Sequence, residues 1–189
     1  MITAAGSSEP VRLRPLTAAD DELLRAATHM NVNWAGRERL SYRDLDTLPE
    51  LAHYCRLRPE RGDFGLVATR PGIGADDGAD DGADDGADDG ADDGAVVGVV
   101  WLLFLPAADP GYGFVAADVP ELSLCVWSGY RGRGLGRLLL SAALGEARER
   151  GIARVSLSTE DGNPSVVLYR ALGFEPVPDS ADGTFAVDL

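Results

Sequence analysis

The chain contains no lysine: all 17 of its basic residues are arginine. Histidine, cysteine and methionine each occur only twice in 189 residues. Two lone cysteines, Cys55 and Cys125, make neither a disulfide framework nor a zinc pattern, and they fit a reducing compartment. The histidines, His29 and His53, have no partners at metal-ligand spacing, so no metal site is expected. A long apolar run is missing too. The longest, Ala95 to Leu105, is too short to cross a bilayer and suits a buried strand, so no membrane partner is expected. Residues 1–10 lack a basic stretch followed by an apolar core; no export signal is visible, and a cytoplasmic location is expected. Positive charge is scarce overall, with a formal net charge of −14. That balance disfavours nucleic acid as a partner, because phosphate contacts need cations.

Much of the acidity is local. Gly74 to Asp93 is five copies of Gly-Ala-Asp-Asp. Ten of the 31 acidic residues fall in it; without them 17 arginines face 21 carboxylates, a formal charge of −4. Clustered carboxylates bind hard cations, but this spacing has neither the alternating ligands and terminal Glu of an EF-hand nor the nonapeptide of a calcium β-roll. A four-residue period without large apolar side chains buries nothing, and like charges repel. The segment 72–95 therefore reads as a disordered acidic insertion, residues 1–10 as a tail, and 11–189 as one domain.

The remaining elements follow from periodicity and breakers. Val11 to Leu16 alternates as a strand. Thr17 caps a helix over Ala18 to His29. Ser41 to Arg56 reads as a second helix broken at Pro49. Asp63 to Thr69 and Ala95 to Leu105 form a hairpin with the repeat at its tip. Glu121 to Trp127 is another strand, followed by a glycine-rich turn and a helix to Arg150 whose stripe is Leu135, Leu138, Leu139, Ala142 and Ala143. Ala153 to Ser158 is a strand, Asn163 to Leu172 a helix, and Phe174–Val177 and Thr184–Val187 close the chain. The order describes an α/β fold with one sheet covered by helices.

Two segments carry chemistry. A strand leads through Arg131-Gly132-Arg133-Gly134-Leu135-Gly136 into a helix, which is an anion-binding arrangement. Glycines let the backbone approach a ligand, helix N-terminal N–H groups point towards it, and the arginines, Arg137 included, add forked donors. The spacing fails both the dinucleotide and the nucleotide P-loop patterns. One strand later comes Asp161-Gly-Asn163-Pro-Ser-Val-Val-Leu-Tyr169-Arg-Ala-Leu-Gly173-Phe174.

Together these segments resemble the Gcn5-related N-acetyltransferase (GNAT) superfamily. Arg131, Gly134 and Gly136 match its Arg/Gln-x-x-Gly-x-Gly/Ala turn, which cradles the pyrophosphate of acetyl-coenzyme A. Asn163, Tyr169, Gly173 and Phe174 match the segment that lies against the pantetheine arm. The resemblance implies a single acetyltransferase domain: a mixed central sheet, helices on both faces, and a parallel strand pair, Glu121–Trp127 and Ala153–Ser158, that splays apart into a cleft. It implies that pantetheine pairs with backbone near Cys125 and Val126, where one N–H polarises the thioester carbonyl. It makes Tyr169 the general acid and Glu121 the general base, with Glu160, Asp161 or a water chain as other sources of the base. Asn163 is expected to cap its helix, to bond the coenzyme, or to do both with different atoms. Asn31, Asn33 and Trp34, between the first two helices, are candidates for touching the acceptor. Cys125 is expected to be a small buried hydrophobe rather than a nucleophile.

The expected activity is direct acetyl transfer from acetyl-CoA, as co-substrate, to a primary amine of a small molecule or peptide, by a monomer or homodimer. The rivals are the same fold moving a longer acyl group, and a non-catalytic acyl-CoA sensor or interaction domain.

Overall fold

A computed structural model describes residues 11–71 and 94–189. The repeat and the tail expected at 1–10 lie outside the described residues, except that Gly94 and Ala95 are described and Ala95 opens a strand. The elements in chain order are β1 (Arg12–Pro15), α1 (Asp21–Val32), α2 (Asp44–Thr47), α3 (Pro49–Ala52), β2 (Phe64–Arg70), β3 (Ala95–Leu103), β4 (Glu121–Val126), α4 (Leu135–Glu149), β5 (Arg154–Ser158), α5 (Val166–Ala171), β6 (Glu175–Pro176) and β7 (Thr184–Asp188). Pro49 splits the expected second helix into α2 and α3, because a proline has no N–H to continue the ladder but is tolerated at a helix start. The last helix is shorter than its sequence implies: Asn163 to Ser165 form turns, and α5 begins at Val166.

The strands make one sheet in the order β1-β2-β3-β4-β5-β7-β6. Only β4 and β5 are parallel neighbours; the other pairs are antiparallel. β2 and β3 form the expected hairpin, with Arg70 opposite Ala95. β3 is apolar throughout because both of its faces are covered. Val100 and Leu102 join a core cluster with Leu139, Leu140 and Ala143 of α4, while Val99, Trp101 and Leu103 join Leu24 and Ala27 of α1 on the other face. Tyr169 of α5 packs in the α4 cluster, so the two chemistry-bearing segments share one face.

The β2–β3 end away from the hairpin tip is held by a buried charge. The fully buried Asp63 carboxylate accepts from the Arg58 N–H (3.0 Å), the Phe104 N–H (2.8 Å) and the Arg61 guanidinium (2.7 and 3.1 Å). An apolar residue there strands these donors and Arg61 together. Asp63→Ala should lower unfolding free energy by about 3 kcal/mol in urea denaturation; a loss below about 1 kcal/mol would show that the network contributes little.

Candidate functional site

The site begins where β4 and β5 part. They pair at a single position, Glu121 opposite Ser156, with the Ser156 N–H donating to the Pro120 carbonyl at 3.0 Å. Beyond that point β4 has a partner only on its other side. The Trp127 N–H donates to the Val97 carbonyl at 3.1 Å, which fixes the phase of the strand: Cys125 and Ser123 turn their main chains towards β3. Leu124 and Val126 turn theirs towards the gap, where β5 no longer pairs with them. Of the two residues expected to line the coenzyme through their backbones, Val126 turns its main chain into the gap and Cys125 turns its main chain towards β3. Leu124, not among the expected residues, also faces the gap, as strand alternation from Val126 requires.

The open edge leads into the glycine-rich turn. A short 3₁₀ turn, Ser128–Tyr130, joins β4 to Arg131. Gly132 and Gly134 take φ of +73° and +81°, and open space lies where a Cβ would stand on either. The first N–H of α4 with an acceptor is that of Leu138, bonded to Gly134 at 3.0 Å. Among the described residues, the N–H groups of residues 132–137 have no protein acceptor. Gly136 has a different role. A Cβ on it would stand 3.2 Å from Leu168, so its absence lets the start of α4 sit close to α5. Arg131 folds back, its Nε donating to the Val126 carbonyl at 2.9 Å. Arg133 lies over the Tyr130 ring, 5.8 Å from its centroid. Leu135 is buried and packs in the core, so only its N–H faces outward at the helix start.

Asn163 divides its labour by atom. Its Oδ1 accepts from the Ser165 N–H at 2.9 Å, a cap for the turn into α5, and leaves the amide Nδ2 as a donor. Tyr169 is buried, with its ring edge-on to Phe174. Burial pushes its phenol up to about 12, with the Ser165 side chain pulling the other way and the Cys125 thiol adding a smaller push upward. Burial likewise raises the Cys125 thiol to about 12, which makes it inert as a nucleophile.

Glu121 is not a solvated strand-end carboxylate. It is 3% exposed, and its Oε1 accepts from the Tyr54 hydroxyl at 2.7 Å. Burial raises it to about 7, against smaller downward pulls from Tyr54 and the nearby Gly113 amide. Glu160, an alternative base, is already engaged: it accepts from Trp34 Nε1 at 2.8 Å and from Arg39 Nη1 at 2.7 Å. Those bonds lower its pKa. Trp34 thus ties the connection after α1 to the end of β5. Asn33 is consumed internally. Its Oδ1 accepts from the Arg39 and Leu40 N–H groups, and its Nδ2 donates to the His29 and Leu40 carbonyls. Asn31 is half-buried, and its carbonyl accepts from the Trp34 N–H at 3.4 Å. Asp161 is exposed beside Glu160.

The acetyltransferase (GNAT) family model matches residues 79–174, a little over half of the sequence. The chain belongs to the GNAT acetyltransferase family. A mycothiol acetyltransferase from Saccharomonospora viridis is 38% identical over 84 residues. That match takes 43% of this chain and 27% of the relative, so the chain corresponds to well under a third of that protein's length. Among solved structures, a GNAT acetyltransferase from Staphylococcus aureus Mu50 superposes with a TM-score of 0.61 at 16% identity, covering 95% of this chain and 99% of that one. The PaiA N-acetyltransferase of Thermoplasma acidophilum, solved with coenzyme A, gives 0.56 at 18% identity, covering 95% and 99%. These two share the fold. No helix among the described residues is long and apolar enough to cross a membrane, and no group of His, Cys, Asp or Glu among them is arranged to hold a metal ion.

The raised pKa of Glu121 has a consequence for stability. Between about 4.5 and 7 the folded protein keeps a proton that the unfolded chain has lost. The stabilisation is complete below the ordinary carboxylate pKa and is lost as pH rises through about 7. Comparing wild type with Glu121→Gln by urea denaturation from pH 4.5 to 8.5 should show the difference swinging by roughly 3 kcal/mol against the wild type as pH rises. A constant difference would mean that Glu121 titrates normally.

Proposed function

We propose that the protein transfers acetyl directly from acetyl-coenzyme A to a primary amine. One observation carries this reading. The edge of β4 at Leu124 and Val126, left unpaired by β5 with only the Val126 carbonyl taken by Arg131, runs into six backbone N–H groups, at residues 132–137, that have no protein acceptor among the described residues. An amide-rich arm adds to such an edge as an extra strand, and a diphosphate suits such a cluster of amides with Arg131, Arg133 and Arg137 around it. Gly132 and Gly134 fit this ligand because nothing fills the space a Cβ would take. Leu135 and Gly136 contribute their N–H groups to the same cradle, and Asn163 keeps its Nδ2 for the arm.

Acetyl-CoA supplies the acyl thioester; the chain's residues do the rest. The N–H of Leu124 or Val126 donates to the thioester carbonyl and stabilises the negative charge that develops there. Tyr169, with its phenol near 12, carries its proton at neutral pH and donates a hydrogen bond to the departing sulfur. A thiol of pKa near ~8.5 is the stronger acid of the two, so this bond stabilises the thiolate without complete proton transfer. Glu121 near 7 is well poised to take a proton from the amine. Being buried, it does so through water. The acceptor enters beneath Trp34, on the side opposite the coenzyme, with Asn31 at its margin.

The test is thiol release from acetyl-, propionyl- and succinyl-CoA with a panel of small amines, amino acids, aminoglycosides and N-terminal peptides. Coenzyme A binding is measured by calorimetry. Amine-dependent release from acetyl-CoA is expected, and Tyr169→Phe should slow it about 100-fold while coenzyme A affinity stays within about twofold. Absence of coenzyme binding contradicts the reading. Binding without turnover on any amine marks a sensor or interaction domain, and faster release from succinyl-CoA marks a longer-chain acyltransferase.

A further inference from the structure

We propose that Tyr54 is a positioning residue: its hydroxyl holds one oxygen of the Glu121 carboxylate and leaves the other without a side-chain partner, beside Ser156 at the β4–β5 junction. The inference rests on the reading of Glu121 as the base.

Three separate segments converge here. Tyr54 sits in the 3₁₀ turn His53–Cys55 after α3, Glu121 opens β4, and Tyr112 lies in the connection between β3 and β4. The Tyr112 N–H donates to the Tyr54 oxygen at 2.8 Å, and the Tyr54 hydroxyl donates to Glu121 Oε1 at 2.7 Å. A phenol has one proton, and a backbone N–H only donates. With Tyr112 occupying a lone pair, the phenolic proton is directed to the carboxylate, and the two bonds polarise in the same sense. The ring is fixed as well: it is buried, edge-on to His53 at 4.4 Å, and stacked with Tyr112 at 6.2 Å.

The other half of the carboxylate is treated differently. Glu121 Oε2 is buried without a hydrogen-bond partner among the described residues. So is the hydroxyl of Ser156, the residue paired with Glu121 across the β4–β5 junction. Buried polar atoms are normally satisfied, and a carboxylate kept for structure alone would have donors on both oxygens. Gly111 keeps the connection close over this side; a Cβ there would lie 2.1 Å from Oε2 and 2.5 Å from the Tyr54 oxygen. The titratable neighbours are Asp109 and His53, whose side chains bond one another at 3.2 Å on the Tyr54 side. No cation among the described residues bonds the carboxylate. Tyr54 is therefore the one side chain that donates to it, favouring the ionised form together with the nearby Gly113 amide and fixing which oxygen is held.

The test uses the full chain in two readouts. The first is the NMR titration of the Glu121 side-chain carbon in ¹³C-glutamate-labelled protein, assigned with Glu121→Gln. The second is the acid limb of thiol release from acetyl-CoA with the panel amine used fastest. Tyr54→Phe should raise the titration midpoint by about one unit and carry the acid limb up with it. KM for acetyl-CoA should be unchanged, and the rate should recover above the new midpoint. Difluorotyrosine at position 54, a stronger donor of nearly the same shape, should move both down, and it carries the test alone if Tyr54→Phe fails to fold. An acid limb that stays in place in these variants overturns the positioning role. If Glu121→Gln itself retains the acid limb, the base reading fails instead, so the two failures are distinguishable.

Discussion

One paired position, Glu121 opposite Ser156, joins β4 to β5. Everything in the candidate site depends on how short that junction is. Had the two strands zipped along their length, the main-chain groups of Leu124 and Val126 would be spent on β5, and no edge would be left for a ligand. Because they part at once, a strand edge is exposed in the middle of a seven-stranded sheet. Unpaired backbone inside a fold is costly unless something bonds it. The amides of residues 132–137 at the start of α4 also lack protein acceptors, and most of these residues are exposed. The sheet and the start of α4 leave two stretches of backbone donors without protein acceptors end to end, and the ligand we propose for them has an amide arm and a diphosphate.

At the junction end of the same strand stand buried polar atoms without partners. Glu121 is buried with one oxygen held and one bare, and Ser156 adds an unpartnered hydroxyl beside it. Glu160, by contrast, is fully engaged by Trp34 and Arg39 and serves to tie the connection after α1 across to the end of β5. Two carboxylates, one at the start of β4 and one just after β5, therefore have opposite fates. Burial keeps Glu121 near neutrality, while hydrogen bonds and an exposed arginine keep Glu160 ionised.

The local features of the site were legible in the sequence, and those created by pairing were not. Gly132, Gly134 and Gly136 mark a turn that only a small residue allows, and Asn163-Pro164 marks a capped start; both are properties of short windows. The alternation of β3 between two cores was visible as an unbroken apolar run. The phase of β4 was not, because it is set by the bond from Trp127 to Val97, 30 residues earlier in the chain. A sequence window therefore does not show that Leu124 and not Cys125 turns its main chain into the gap. Tyr54 carried no signal either: a tyrosine in a broken helix acquires its role from a contact with Glu121, 67 positions later. Asn33 was expected at the acceptor on position alone, yet its amide closes the loop from His29 to Leu40 with both ends used.

The central claim is that an interrupted strand pair and a bare helix start form one continuous ligand wall. It is tested most directly by titrating ¹⁵N-labelled protein with coenzyme A and following the amide resonances. The account expects the largest shifts at Leu124, Val126 and residues 132–137, with the β3-facing amides of Ser123 and Cys125 moving little. Shifts scattered elsewhere on the sheet, or none along β4 and the start of α4, would contradict it.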